Sequence, residues 1–320
     1  MSRDSLVKWG LIALLATASV LIIAIKGLTF PLDHCARPLL VCGAMISVAV
    51  FYARRSVEQF VISAHALAQI VAFSACYSVA MYCVASFNSP LADDWLVSFD
   101  KACGVCVADV AAWAANVPKL SGLLQIAYAT MLIQTALVVI SLGFANRRQH
   151  LESFVLCFMV SSTLALAVFA FLPAEGPFCS YGYEPDASQQ RFLDDFHAMR
   201  SGERTLVTWK KAEGLITFPS FHTTWALLLA WGLRGSRFLF IPACLLNLAV
   251  VASTMTTGWH YFADVLSGTT LAAGTVLAAG RVNLWLYQPD GSPKRVGVPA
   301  SPWPQQSPPA IPQPAYGTSS

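Results

Sequence analysis

Two short stretches of the sequence concentrate side chains able to do nucleophilic and acid–base chemistry. They are Phe218-Pro219-Ser220-Phe221-His222-Thr223 and Gly258-Trp259-His260-Tyr261-Phe262-Ala263-Asp264-Val265. His260 and Asp264 stand four residues apart, so on a helix they share one face. A carboxylate in that position accepts the proton of one imidazole nitrogen, fixes the tautomer and leaves the other nitrogen free to attack. Pro219-Ser220 reads as a helix start with Ser220 as N-cap. The first amides of that helix, on Phe221, His222 and Thr223, then face an anion such as phosphate. His222 stands beside that anion, where it can protonate a leaving oxygen. Taken singly, one histidine at a helix end reads equally as an interfacial residue, and an Asp near a helix N-terminus as a dipole partner. Together they read as a site.

The elements that must position these residues are membrane helices. The 320-residue chain is 56% hydrophobic and only 12% charged, about half the charge of an average soluble domain. The missing charge is replaced by long apolar runs. A bilayer core of about 30 Å needs roughly 20 helical residues, and runs near 9–25, 38–53, 60–84, 123–145, 154–172, 223–233, 238–255 and 262–279 predict an all-α polytopic membrane protein with about eight spans. The first run follows Arg3 and Lys8 like a secretory signal, but no small-x-small cleavage site follows Ile25. It reads as an uncleaved first helix.

Charge sets the expected orientation. With the N-terminus inside, the inner segments hold Arg3, Lys8, Arg54, Arg55, Arg147, Arg148, Arg234, Arg237, Arg281, Lys294 and Arg295, against the acids Asp4, Glu58, Glu152 and Asp290. A Lys/Arg excess in short loops marks the cytoplasmic side. Both termini are therefore expected in the cytoplasm of a plasma (inner) membrane protein. Loops 86–120, 173–221 and 257–261 fall outside, so both motifs open on the non-cytoplasmic face. The net charge of +3 comes with no basic stripe and points to no nucleic acid partner.

Other features carry less. Cys42, Cys76, Cys83, Cys157 and Cys244 lie in or near the runs and read as small packing residues. Cys103-Gly-Val-Cys106 is a single C-x-x-C, open to a redox or half-metal-site reading, with no second pair in the chain. Loop 86–120 mixes Asp93, Asp94, Trp95, Asp100 and Trp113 with apolar residues, as an interfacial amphipathic segment or a plain connector would. Beyond Asp290 the chain turns to Gly, Ser, Pro and Gln. That composition predicts a disordered cytoplasmic tail, whose P-x-x-P-like pieces are open to an unknown binding partner.

The two motifs at this spacing resemble the second and third signatures of the type 2 phosphatidic acid phosphatase superfamily, closest to the branch that includes inositol phosphorylceramide synthases. The resemblance covers residues 57–283 and implies a six-helix catalytic core, with residues 1–56 as two added N-terminal helices and 284–320 as the tail. It implies that His260 is a nucleophile forming a phosphohistidine, that Asp264 orients it, and that His222 is the general acid. Ser220 and the amides beside it, Phe221 among them, would hold phosphate together with Gly258. The superfamily's first motif, a Lys and then Arg-Pro, is missing; Pro173-Ala174-Glu175-Gly176-Pro177 occupies its place. Thr254 stands where many members carry an Arg. Other cations must then meet the phosphate, from among Arg191, Arg200, Arg204, Lys210 and Lys211. Arg204 is the first choice, since a guanidinium fork suits phosphate.

Function is thus expected to be lipid phosphate hydrolysis, or transfer of the phosphorylated group to a second alcohol, without a cofactor. Two other classes remain open. A transporter would place its polar site near the midplane, where only His65 lies deep. A metalloenzyme would use His222, His260 and Asp264 as a two-histidine, one-carboxylate site; with only six histidines in the chain, no metal requirement is expected.

Overall fold

A computed structural model describes residues 3–207 and 214–286, with side chains to Arg281. Lys210, Lys211 and the tail from 287 onward lie outside the described residues. The helices in chain order are α1 (Arg3–Lys26), α2 (Ala36–Ala53), α3 (Glu58–Ala85), α4 (Asp93–Ala102), α5 (Val107–Ala115), α6 (Pro118–Ala129), α7 (Met131–Phe144), α8 (Arg148–Phe171), α9 (Pro177–Tyr181), α10 (Ala187–Ser201), α11 (Phe221–Gly232), α12 (Arg237–Thr256) and α13 (Phe262–Leu286). The protein is an all-α polytopic membrane protein.

The expected eight spans need correction. Six helices (α1, α2 with its leading turn, α3, α8, α12 and α13) are long and apolar enough to cross a bilayer. The run at 123–145 is not one helix. It is α6 and α7, bent by 48° at Thr130, and counting the pair as one span gives seven. The remaining run is α11, 12 residues long, which at 1.5 Å per residue reaches about 18 Å. It begins at the second motif and does not cross a full bilayer alone.

The core sits around α3 and α8, the two spans with the largest buried share. Phe73 and Tyr82 of α3 and Phe154, Met159 and Phe169 of α8 are fully buried. α2 packs chiefly on α3 and is otherwise open, whereas α1 sends Ile12 and Leu15 into the same core. Lys8, expected in a solvated inner flank, is fully buried in α1 and paired with both Asp4 and Glu152. The basic turns gather at one end of the bundle. Arg148 at the start of α8 meets Glu58 at the start of α3 (3.4 Å), and Arg147 lies against Gly235 between α11 and α12.

At the other end, local chemistry shapes the short helices. Pro177 occupies the first turn of α9, and Asp186 with Gln189 forms a capping box on α10. Gly268 lets α13 close on α11: a Cβ there would collide with the Ser220 carbonyl oxygen. At that contact Thr224 donates to the Gly268 carbonyl at 2.9 Å.

Candidate active site

Ser220 caps α11 as its sequence suggests. Its Oγ accepts from the Thr223 N–H (3.3 Å) and the Thr223 hydroxyl (3.0 Å), and its own N–H donates to the Asp264 carbonyl (3.1 Å). The cap takes one of the three amides expected to face an anion, the one on Thr223. Those of Phe221 and His222 begin the helix ahead of it.

His260 lies in the short link between α12 and α13, its Nδ1 3.1 Å from Asp264 Oδ2. The same oxygen accepts the Tyr261 N–H at 2.9 Å. The pair is buried, with His260 3% and Asp264 0% exposed. Burial pushes the His260 imidazole down to about 4, partly countered by a hydrogen bond with the Thr217 backbone. Near neutral pH the ring is therefore uncharged and keeps its lone pair. The His222 ring lies 6.0 Å from that of His260, centroid to centroid.

Three groups enter that the sequence did not single out. Tyr128, near the end of α6, places its hydroxyl 2.7 Å from His222 Nε2, with the rings 4.7 Å apart. His222 Nδ1 and Asp264 Oδ1 are buried without a hydrogen-bond partner. The other two groups are Asp93 and Asp100 of α4. Asp100 accepts the first N–H groups of α13, from Phe262 and Ala263, at 2.8 Å each, and so caps from outside the helix that carries Asp264. Asp93 accepts the N–H groups of Glu175 (2.9 Å) and Gly176 (2.9 Å) and the Tyr261 hydroxyl (2.8 Å). Burial raises the pKa of both carboxyls, against the lowering effect of those N–H donors. The signal was their spacing: seven residues, two helical turns, puts both on one face. Tyr128 had no comparable signal.

The region at 173–177 thus joins the site. Asp93 ties it to Tyr261, and Thr217, beside the second motif, donates to the Ala174 carbonyl at 2.6 Å. The expected phosphate-binding groups fare unevenly. Gly258 has a left-handed φ of +72°. Its N–H donates to the Met255 carbonyl (2.9 Å) and its carbonyl accepts from the Tyr183 hydroxyl (2.7 Å). Both backbone groups are engaged, so Gly258 shapes the turn into His260. The Arg204 guanidinium is ion-paired with Asp195, and Arg200 donates to the Ser89 carbonyl at 2.8 Å while lying over the Phe196 ring. Arg191 is exposed. The nine cysteines are free thiols, Cys103 exposed and Cys106 half-buried. Among the described residues no group of three or more His, Cys, Asp or Glu is arranged to hold a metal ion.

Two openings flank these residues. A cavity of about 420 Å³ is lined by Gln125, Tyr128, Tyr183, Gln189, Thr257 and Trp259, among others. An apolar groove of similar size runs between α8 and α13, with Val160, Leu164 and Leu271 along it and Phe218 and Pro219 of the second motif on its wall.

A polytopic helical membrane protein with two facing histidines, one of them buried against an orienting carboxylate, is the class that fold and site define. A family model described as the PAP2 superfamily matches residues 94–278, more than half of the chain, and the protein belongs to that superfamily. The match begins in α4 rather than at residue 57, leaving α1–α3 outside it. Membership points to phosphatase or phosphotransferase activity on phosphate esters. No curated protein and no solved structure matches the chain.

Proposed function

We propose that this protein is an integral membrane lipid phosphate phosphatase or lipid phosphotransferase that works through a phosphohistidine on His260. The observation that carries the reading is the buried His260–Asp264 pair with His222 facing it across 6.0 Å. With Nδ1 turned to Asp264, Nε2 of His260 carries the lone pair that attacks phosphorus. The N–P bond forms as the bond to the leaving oxygen breaks, and that oxygen takes a proton from His222. In the second half an acceptor hydroxyl returns a proton to His222 as its oxygen attacks phosphorus, and the N–P electrons go back to His260. The Phe221 and His222 amides at the start of α11 suit the phosphate oxygens. The apolar groove beside Phe218 and Pro219 suits an acyl chain, which supports a lipid substrate held at the bilayer.

The finer assignments rest on sequence and charge. The Pro173–Pro177 segment, tied to the site through Asp93, supports a place near the inositol phosphorylceramide synthase-like branch. The gathering of basic turns at the end of the bundle away from the site supports cytoplasmic termini and an active site on the non-cytoplasmic face of the plasma (inner) membrane.

The test is rapid quench of the purified protein with phosphorus-labelled lipid phosphates, with and without an alcohol acceptor. Acid-labile, base-stable label mapping to His260 is expected, and none in His260→Ala. Label on a Ser or Asp, or undiminished label in His260→Ala, overturns the mechanism.

A further inference from the structure

His222 is half-buried, and one of its two ring nitrogens is already engaged. Its Nε2 lies 2.7 Å from the Tyr128 hydroxyl, while Nδ1 is closed off without a partner. Tyr128 also lines the cavity of about 420 Å³ that opens beside Trp259 and Thr257, the two residues on either side of Gly258 ahead of His260. One phenol therefore touches both the candidate acid and this opening. The polar groups on that wall are amide, hydroxyl and carboxylate, from Gln125, Gln189, Thr256, Glu184 and Asp186, beside the apolar Ala111 and Ala115, with no Lys or Arg among the lining residues.

We propose that Tyr128 is the relay through which His222 exchanges protons with this cavity, and that the cavity admits the acceptor as a neutral or cationic hydroxyl compound, water included. The inference rests on the phosphohistidine reading above and adds a residue and an acceptor class to it. In the first half-reaction the P–O bond breaks as the N–P bond forms. The leaving oxygen takes the Tyr128 hydroxyl proton while Tyr128 takes the Nε2 proton of the His222 imidazolium. In the second half the acceptor hydroxyl gives its proton to Tyr128, and Tyr128 passes its own to His222 Nε2. The acceptor oxygen bonds to phosphorus as the P–N bond breaks. Each group ends as it began. The carboxylates on the wall oppose an anionic acceptor, because like charges repel in a partly desolvated site.

Tyr128→Phe keeps the ring and removes the hydroxyl. Its effect should depend on how much the leaving oxygen needs a proton. Relative to the parent protein, turnover of an alkyl phosphate ester should fall at least tenfold more than turnover of a nitrophenyl phosphate, whose leaving group departs unprotonated. In the His222→Ala background the same change should add less than twofold, because residues acting as one unit are not additive. With the parent protein, glycerol and ethanolamine should divert phosphoryl groups from water, and glycerate should not. An equal fall on both esters would mean a packing role for Tyr128, and additive effects with His222→Ala would mean an independent one. Either result overturns the relay, and efficient transfer to glycerate overturns the acceptor class. Label on His260 in the Tyr128→Phe protein separates these failures from failure of the phosphohistidine reading, which would show no such label at all.

Discussion

The bundle carries two buried polar clusters at opposite ends of α8, and they are built on different principles. At the Arg148 end, Lys8 sits between Asp4 and Glu152, and beside it Ser5 lies 3.1 Å from His65. Full charges there neutralise one another inside the protein. At the other end, near Pro173, the partners are two imidazoles, a carboxylate, a phenol and backbone N–H groups. That cluster contains no fixed cation–carboxylate pair; its groups are ones that gain and lose protons. The first arrangement suits holding α1 against α3 and α8, the second suits a reaction, and burial alone does not tell them apart. Most of α8 lies between them, roughly 28 Å from Glu152 to Phe171 by the rise per residue, so each can be disturbed while the other is watched.

The largest expected effect falls on the reactive cluster. Asp264→Asn should lower turnover by about 10³- to 10⁴-fold, as loss of a histidine-orienting carboxylate does elsewhere, with little change in thermal stability. Steady-state kinetics and a melting curve on the same preparation check this. Near-normal turnover would remove Asp264 from the mechanism. The mirror experiment is Lys8→Met. It leaves Asp4 without its cation and Glu152 with only Arg148, 3.7 Å away, and should cost about 3–5 kcal/mol of stability, while turnover per folded molecule stays within about twofold. Adding Asp4→Asn and Glu152→Gln to it should recover most of that stability, and a triple variant no more stable than Lys8→Met would show that the cluster does more than neutralise itself.

Asp100→Ala lies between the two kinds of effect. It removes the cap on α13 and should cost about 1–2 kcal/mol. It should also slow turnover about tenfold, because Asp264 rides on the first turn of that helix. Loss of stability with unchanged turnover would confine α4 to a structural role. The smallest effect concerns pH. Because burial lowers the His260 pKa, its nucleophilic form predominates above about 4. With a nitrophenyl phosphate, whose leaving group needs no proton from His222, the rate of phosphoenzyme formation should hold steady through the mildly acidic range and fall only as pH drops through about 4. A fall centred near 6.5, the ordinary histidine value, would show that this ring is not desolvated in the working protein.

Much of this was legible because it is periodic or local. The pairing of His260 and Asp264 across the start of α13 and the Pro-Ser helix start are local in sequence, although His260 lies just ahead of the helix rather than on its face, and the apolar runs follow the bilayer's thickness. The bend at Thr130 was not legible, since Leu123–Ala145 carries no charged residue and no Pro or Gly marks the break. Nor was the exit of Lys8 from solvent, because its partner Glu152 stands 144 residues away. Arg204 looked available for the same reason: Asp195, nine residues earlier, becomes its partner only once α10 folds and the chain turns back. Long-range pairing of charges is what composition and spacing do not encode.

One short helix, α4, grips both the Glu175–Gly176 backbone and the first turn of α13 through Asp93 and Asp100. This has a consequence for biogenesis. The two segments it joins are synthesised far apart in time, residues 175–176 well before residues 262–263, and α4 precedes both. The hydrogen bonds that fix the turn carrying Asp264 therefore cannot all form until α13 has been made and has come to meet α4.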